Sequence, residues 1–79
     1  MAAVELSPGI VSDPEVMGGR PIIKGHRLTV SQVIGHIAAG DTIEEVREGY
    51  NLSEAEIQAV LNFAAETVEA RELMYVVNP

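Results

Sequence analysis

From residue 29 onward, three apolar stripes with helical spacing follow one another, each opened by a hydroxyl residue that has Glu or Gln three positions later. This pattern is the capping box, in which the two side chains satisfy backbone N–H groups that the first helical turn leaves unpaired. The first box is Thr29-x-x-Gln32, with Leu28 and Val33 at the staple positions and Val30, Val33, Ile34, Ile37 and Ala38 along one face before Gly40 stops the helix. Thr42-x-x-Glu45 predicts a second, short helix with Ile43, Val46 and Tyr50 on one side. Ser53-x-x-Glu56, stapled by Leu52 and Ile57, predicts a third of about four turns whose inward face is Ile57, Val60, Leu61, Ala64 and Val68. The turn Gly49-Tyr50-Asn51-Leu52 has the length that joins a helix-turn-helix pair. The expected fold class is therefore mainly α, a three-helix helix-turn-helix core packed around Val33, Ile37, Ile43, Val46, Ile57, Val60, Leu61 and Ala64, with a short N-terminal β element. A generic three-helix bundle is the plainer alternative.

Upstream the pattern shortens. Residues 1–9 lack periodicity, end in Ser7-Pro8-Gly9 and read as a loose leader; Ile10-Val11 and Pro21-Ile22-Ile23-Lys24 read as two short strands separated by Asp13-Pro14 and Gly18-Gly19. Pro21 cannot donate to a ladder, so the second strand starts or edges its sheet, and such an edge favours dimerisation. In extended geometry Arg20, Ile22 and Lys24 would share one face. Residues 10–68 form the expected domain, leaving 69–79 as a tail. That tail holds Leu73, Met74, Tyr75, Val76 and Val77, five consecutive apolar, β-prone residues that dock on a second copy or on another protein.

A chain of 79 residues makes one small domain with a limited core, and with no cysteine it has no disulfide to support it. Oligomerisation, most simply a homodimer, is the remaining device. His26 and His36 lack further soft ligands for zinc, so no metal or cofactor is expected. No export signal or apolar span appears, which places the expected protein in the cytoplasm.

Net charge is −7, yet its distribution is uneven: from Asp41 onward nine acids face two arginines, while between Glu15 and Asp41 the only charges are Arg20, Lys24 and Arg27. Clustered cations are the means by which proteins hold phosphates. Arg20, Lys24, His26 and Arg27, with Thr29 and Gln32 at the start of the next helix, form the candidate DNA-contacting set. The alternative is a charged edge that keeps a small sheet soluble. Helix three would bring Glu54 and Glu56, not base-reading side chains, to a major groove. No enzyme is expected, because the serines and threonines fall in loops and caps and the helix-start acids suit the helix dipole.

The run Asp13-Pro14-Glu15-Val16-Met17-Gly18-Gly19-Arg20-Pro21-Ile22-Ile23-Lys24-Gly25, then Arg27-Leu28-Thr29-Val30, then Ala39-Gly40 with Ile43-Glu44-Glu45-Val46, resembles the bacterial domain-of-unknown-function family numbered four hundred and thirty-three over roughly residues 10–66. The resemblance implies a homeodomain-like, helix-turn-helix fold with a short β element and likeness to VapB-type antitoxins, which neutralise a PIN-like ribonuclease toxin. It implies that Arg20, Lys24 and Arg27 belong to the motif region and that the segment beyond Glu66 is where a toxin attaches. His26 stands where the family commonly has Thr, implying an altered contact or added pH sensitivity. Asn51 stands where it often has Pro, implying a looser turn. A DNA-binding regulator without a toxin, and a structural interaction domain, are the other two readings.

Overall fold

A computed structural model describes residues 3–77, with side chains through Tyr75. Its first element is a hairpin. β1 (Val4–Ser7) and β2 (Ile10–Ser12) run antiparallel with Val4 opposite Ser12, and a bulge between Glu5 and Ser7 leads into the Pro8-Gly9 turn. Gly9 adopts φ +84, a conformation that side chains with a Cβ avoid. Within the expected loose leader, Val4–Ser7 is instead the edge strand of a sheet. After the turn at Asp13, where Glu15 N–H bonds the Asp13 carboxylate at 2.9 Å, a tight turn at Met17–Gly19 returns the chain to β3 (Ile22–Ile23). β3 pairs antiparallel with β2, Ile10 opposite Ile23 and Val11 opposite Ile22.

The three helices are α1 (Val30–Ala38), α2 (Ile43–Tyr50) and α3 (Glu54–Val77). All three capping boxes form. Thr29 Oγ1 accepts from Gln32 N–H at 3.0 Å and Gln32 Oε1 from Thr29 N–H at 2.9 Å; the Thr42–Glu45 and Ser53–Glu56 pairs repeat the exchange. α1 ends as expected at Gly40, where Asp41 N–H reaches back to the His36 carbonyl at 3.0 Å. α2 ends on Asn51 in the left-handed region at φ +55, with Leu52 N–H on the Arg47 carbonyl at 2.9 Å. That turn is closed, not loosened, and proline with its fixed negative φ could not make it.

The mainly α, homeodomain-like helix-turn-helix core is overturned. A three-stranded antiparallel sheet in the order β1-β2-β3 precedes the helices, giving the sequence βββααα, and the sheet contributes Ile10 and Ile23 to the centre. Ile10 and Ile23 from the sheet, Leu28 and Val30 at the entry to α1, and Val33, Val46, Leu52, Ile57 and Val60 from the helices and their turn form one buried cluster. The physical reason is length: α1 and α2 have 9 and 8 residues, too short to cover the inner face of α3 by themselves. Ile43, assigned to the core by its helical spacing, is 41% exposed. Ile22 also departs from expectation, because it is buried as Ile23 is, while Arg20 and Lys24 are exposed. Ile22 bridges to Thr29 on the edge away from β2, and because successive side chains point to opposite faces, the burial of both Ile22 and Ile23 means that both faces of β3 are covered.

Candidate functional site

The cationic segment folds as the tip of a second hairpin. Ile23 N–H bonds the Leu28 carbonyl at 3.1 Å and Val30 N–H the Pro21 carbonyl at 3.0 Å, so Lys24-Gly25-His26-Arg27 projects between two buried shoulders. Gly25 supplies the positive φ, +85, that the tip requires. Lys24 N–H bonds the Gly9 carbonyl at 3.0 Å and fixes the tip to the first hairpin. Among the described residues, Arg47 pairs with Glu44 and Glu54 and Arg71 lies over the Tyr75 ring, whereas Arg20, Lys24 and Arg27 stand exposed without an acidic partner.

His26 is engaged. Its Nε2 donates to Glu56 Oε2 at 2.8 Å, while Oε1 of the same carboxylate accepts from Ser53 N–H in the cap of α3. One acid thus joins the loop tip to the start of the long helix. The Ser53 N–H holds the Glu56 carboxyl below its ordinary value; partial burial opposes this, and His26 adds to the lowering. A depressed folded-state value contributes stability above the unfolded value of 4.5, lost as pH falls through the folded one. In thermal melts, Glu56→Gln is expected to be less stable than the parent near neutral pH, with the gap closing below about pH 4.5. A gap of the same size in acid would show that ionisation of Glu56 does not support the joint.

The candidate DNA-contacting residues border different grooves. His26, Arg27 and Gln32 line a groove of about 300 Å³ together with Leu28 and Tyr50. Lys24 lines a different groove, beside Pro8, Gly9 and Ala59, and Arg20 a third, against α1 and the middle of α3. Thr29 is 1% exposed and Gln32 gives its carbonyl oxygen to the cap, so both act first in holding α1. The sequence reading missed Tyr50, whose hydroxyl lies 2.7 Å from His36 Nε2, with His36 Nδ1 at 3.0 Å from Asp41 Oδ2. These contacts couple the ends of α1 and α2 beside the Arg27 groove, and no regular spacing announced them. Among the described residues, no group of three or more His, Asp or Glu could hold a metal, and no helix is long and apolar enough to cross a membrane.

The third feature is the far half of α3. At 24 residues the helix is about 36 Å long, well beyond the four turns expected. Residues 73–77 continue it and are not extended. Leu73, Met74 and Tyr75 are 60%, 56% and 66% exposed; the side chains of Val76 and Val77, and all of Asn78 and Pro79, lie outside the described residues. Helical geometry also disperses the apolar run. Tyr75 falls on the same side of α3 as Val68 and Ala64, whereas Leu73 points to the opposite side.

Taken together, these elements define a small α+β domain in which an antiparallel meander packs on three helices, a basic hairpin tip is pinned to the longest helix, and that helix projects past the core. The chain belongs to the family described as Protein of unknown function (DUF433), whose model matches residues 10–64, from β2 into the middle of α3. It is 32% identical over 57 residues to the uncharacterized protein y4eO of Sinorhizobium fredii (strain NBRC 101917 / NGR234), covering 72% of this chain and 26% of that one. The crystal structure of Rv2018 from Mycobacterium tuberculosis superimposes with a TM-score of 0.58 at 29% identity, covering 66% of this chain and 24% of the other. The chain spans about a quarter of the length of each of these two proteins.

Proposed function

We propose that this chain is a non-enzymatic, antitoxin-like binding module that captures a PIN-like ribonuclease through the far half of α3 and uses its basic loop on operator DNA. The observation that carries the first part is the projection of α3, which holds large apolar side chains in water beyond the core. Exposed apolar surface of this kind is characteristic of a binding face. The side of α3 bearing Leu73 is the part of that face assigned to the nuclease. The exposed, unpaired state of Arg20, Lys24 and Arg27 favours the second reading, a DNA-binding regulator without a toxin, because unpaired cations release counterions on meeting phosphate. Their separation over three grooves suits contacts to backbone phosphates along a strand better than readout of one base.

A search for a PIN-like reading frame beside the gene, followed by co-expression with its product, tests the proposal. The parent chain is expected to retain the nuclease through affinity purification and Leu73→Glu to lose at least about tenfold in affinity, the consequence of placing a charge in an apolar contact. Absence of capture by the parent chain, together with a salt-sensitive DNA shift, would leave the regulator reading in its place.

A further inference from the structure

We infer that a second copy of this chain packs antiparallel along α3, filling on each protomer the apolar groove between α1 and α3. The groove has a volume of about 320 Å³ and is lined by Pro21, Val30, Ile34, Phe63, Ala64 and Val68, almost wholly by carbon, with Arg20 at its rim. On α3 the lining does not stop at the groove. Phe63, Ala64, Thr67, Val68, Arg71, Met74 and Tyr75 recur at three- and four-residue spacing, so one continuous stripe runs from the core-facing half of the helix onto the projecting half.

Two polar members of that stripe are already accommodated. Thr67 Oγ1 donates to the Phe63 carbonyl at 2.8 Å, which leaves its methyl group outward. Arg71 lies with its guanidinium 5.6 Å from the Tyr75 ring centre and its Nε 3.3 Å from the Tyr75 hydroxyl, so its stem and the ring present a flat, largely apolar surface. The remaining Arg71 N–H groups are the polar atoms of the stripe that a contact with a copy of itself has to satisfy.

Direction and occupant follow from the two halves being unlike. A parallel partner would set the two projecting halves side by side and leave both grooves open. An antiparallel partner lays the projecting half of each α3 over the groove of the other, a self-complementary arrangement related by a two-fold axis. Charge agrees with it: Glu66 and Glu72 flank the stripe on its two sides, and the partner's groove carries the unpaired Arg20 at its rim. Leu73 stays on the outer side, so this contact leaves the nuclease-binding face free and does not depend on that reading.

Sedimentation of the whole 79-residue chain through the micromolar range tests the inference. The parent should reach twice its 8.5 kDa monomer mass. Val68 is 58% exposed, so Val68→Glu should keep the helical circular dichroism of the parent while raising the dimer dissociation constant at least about tenfold, and Leu73→Glu should leave it within about twofold. A parent that stays monomeric overturns the inference, as does a dimer that survives Val68→Glu, which would move the contact to the free edge of β1. Equal dissociation by both variants overturns it too. Loss of nuclease capture in Leu73→Glu with the dimer intact concerns only the proposed function.

Discussion

Ile10→Ala is expected to cost about 2–5 kcal/mol of folding free energy and to lower the melting temperature by roughly 10 °C or more. Ile10 is 0% exposed and stands opposite Ile23 in the sheet, within the cluster that includes Val33 and Val60. Removing three of its carbons leaves a cavity that two short strands and a helix cannot collapse without breaking the β2–β3 pairing. Total stability is on the order of 5–15 kcal/mol for ordinary domains, and one of 79 residues sits toward the lower end, so this loss takes a large share. Val4→Ala, at an edge position 61% exposed, serves as the control and should change stability by no more than about 0.5 kcal/mol. Urea unfolding of both variants separates a sheet that belongs to the core from one that decorates a helical bundle. If Ile10→Ala matched Val4→Ala, the helices alone would carry the fold.

The helices were legible because their signals are local. Thr29 with Gln32, Thr42 with Glu45 and Ser53 with Glu56 each state where a helix begins within four residues, and each forms the expected pair of hydrogen bonds. The sheet was not, for reasons visible in its strands. β3 has two residues, both buried, because both of its faces are covered, and no period can be read from two positions. β1 shows alternation in Val4-Glu5-Leu6-Ser7, but Pro8-Gly9 marks a turn without saying whether anything pairs across it. The apolar run Leu73 to Val77 reads as β-prone by itself, whereas the consecutive helix formers Glu69-Ala70-Arg71-Glu72 carry the helix into it. At the site, sequence located the unpaired cations but not their separation. Where Lys24 and Arg27 point is set by the hairpin tip and by the Gly9 carbonyl, a contact 15 positions upstream of Lys24. The His26–Glu56 link spans 30 positions and joins two segments whose local patterns are independent.

That same Gly9 carries the second large expected effect. Its backbone sits at φ +84, and a Cβ placed on it would come within 3.1 Å of the Ala59 Cβ on α3. Gly9→Ala therefore incurs two separable costs: about 1–2 kcal/mol for a left-handed alanine, and about 1–3 kcal/mol for forcing the first hairpin away from the helix. Because Gly9 also holds Lys24 through its carbonyl, the displacement would reach the cationic tip, and any phosphate contact made there should weaken with the fold. The two costs can be told apart by adding Ala59→Gly, which removes the atom that the new methyl meets. The double variant should recover the steric part, after allowance for the roughly 1 kcal/mol that a glycine costs inside a helix, and leave the backbone part in place. Denaturant unfolding of the parent, both single variants and the double variant closes the cycle. A coupling energy near zero would mean that the hairpin and α3 do not approach at this point, and the seating of the sheet on the long helix would have to be redrawn.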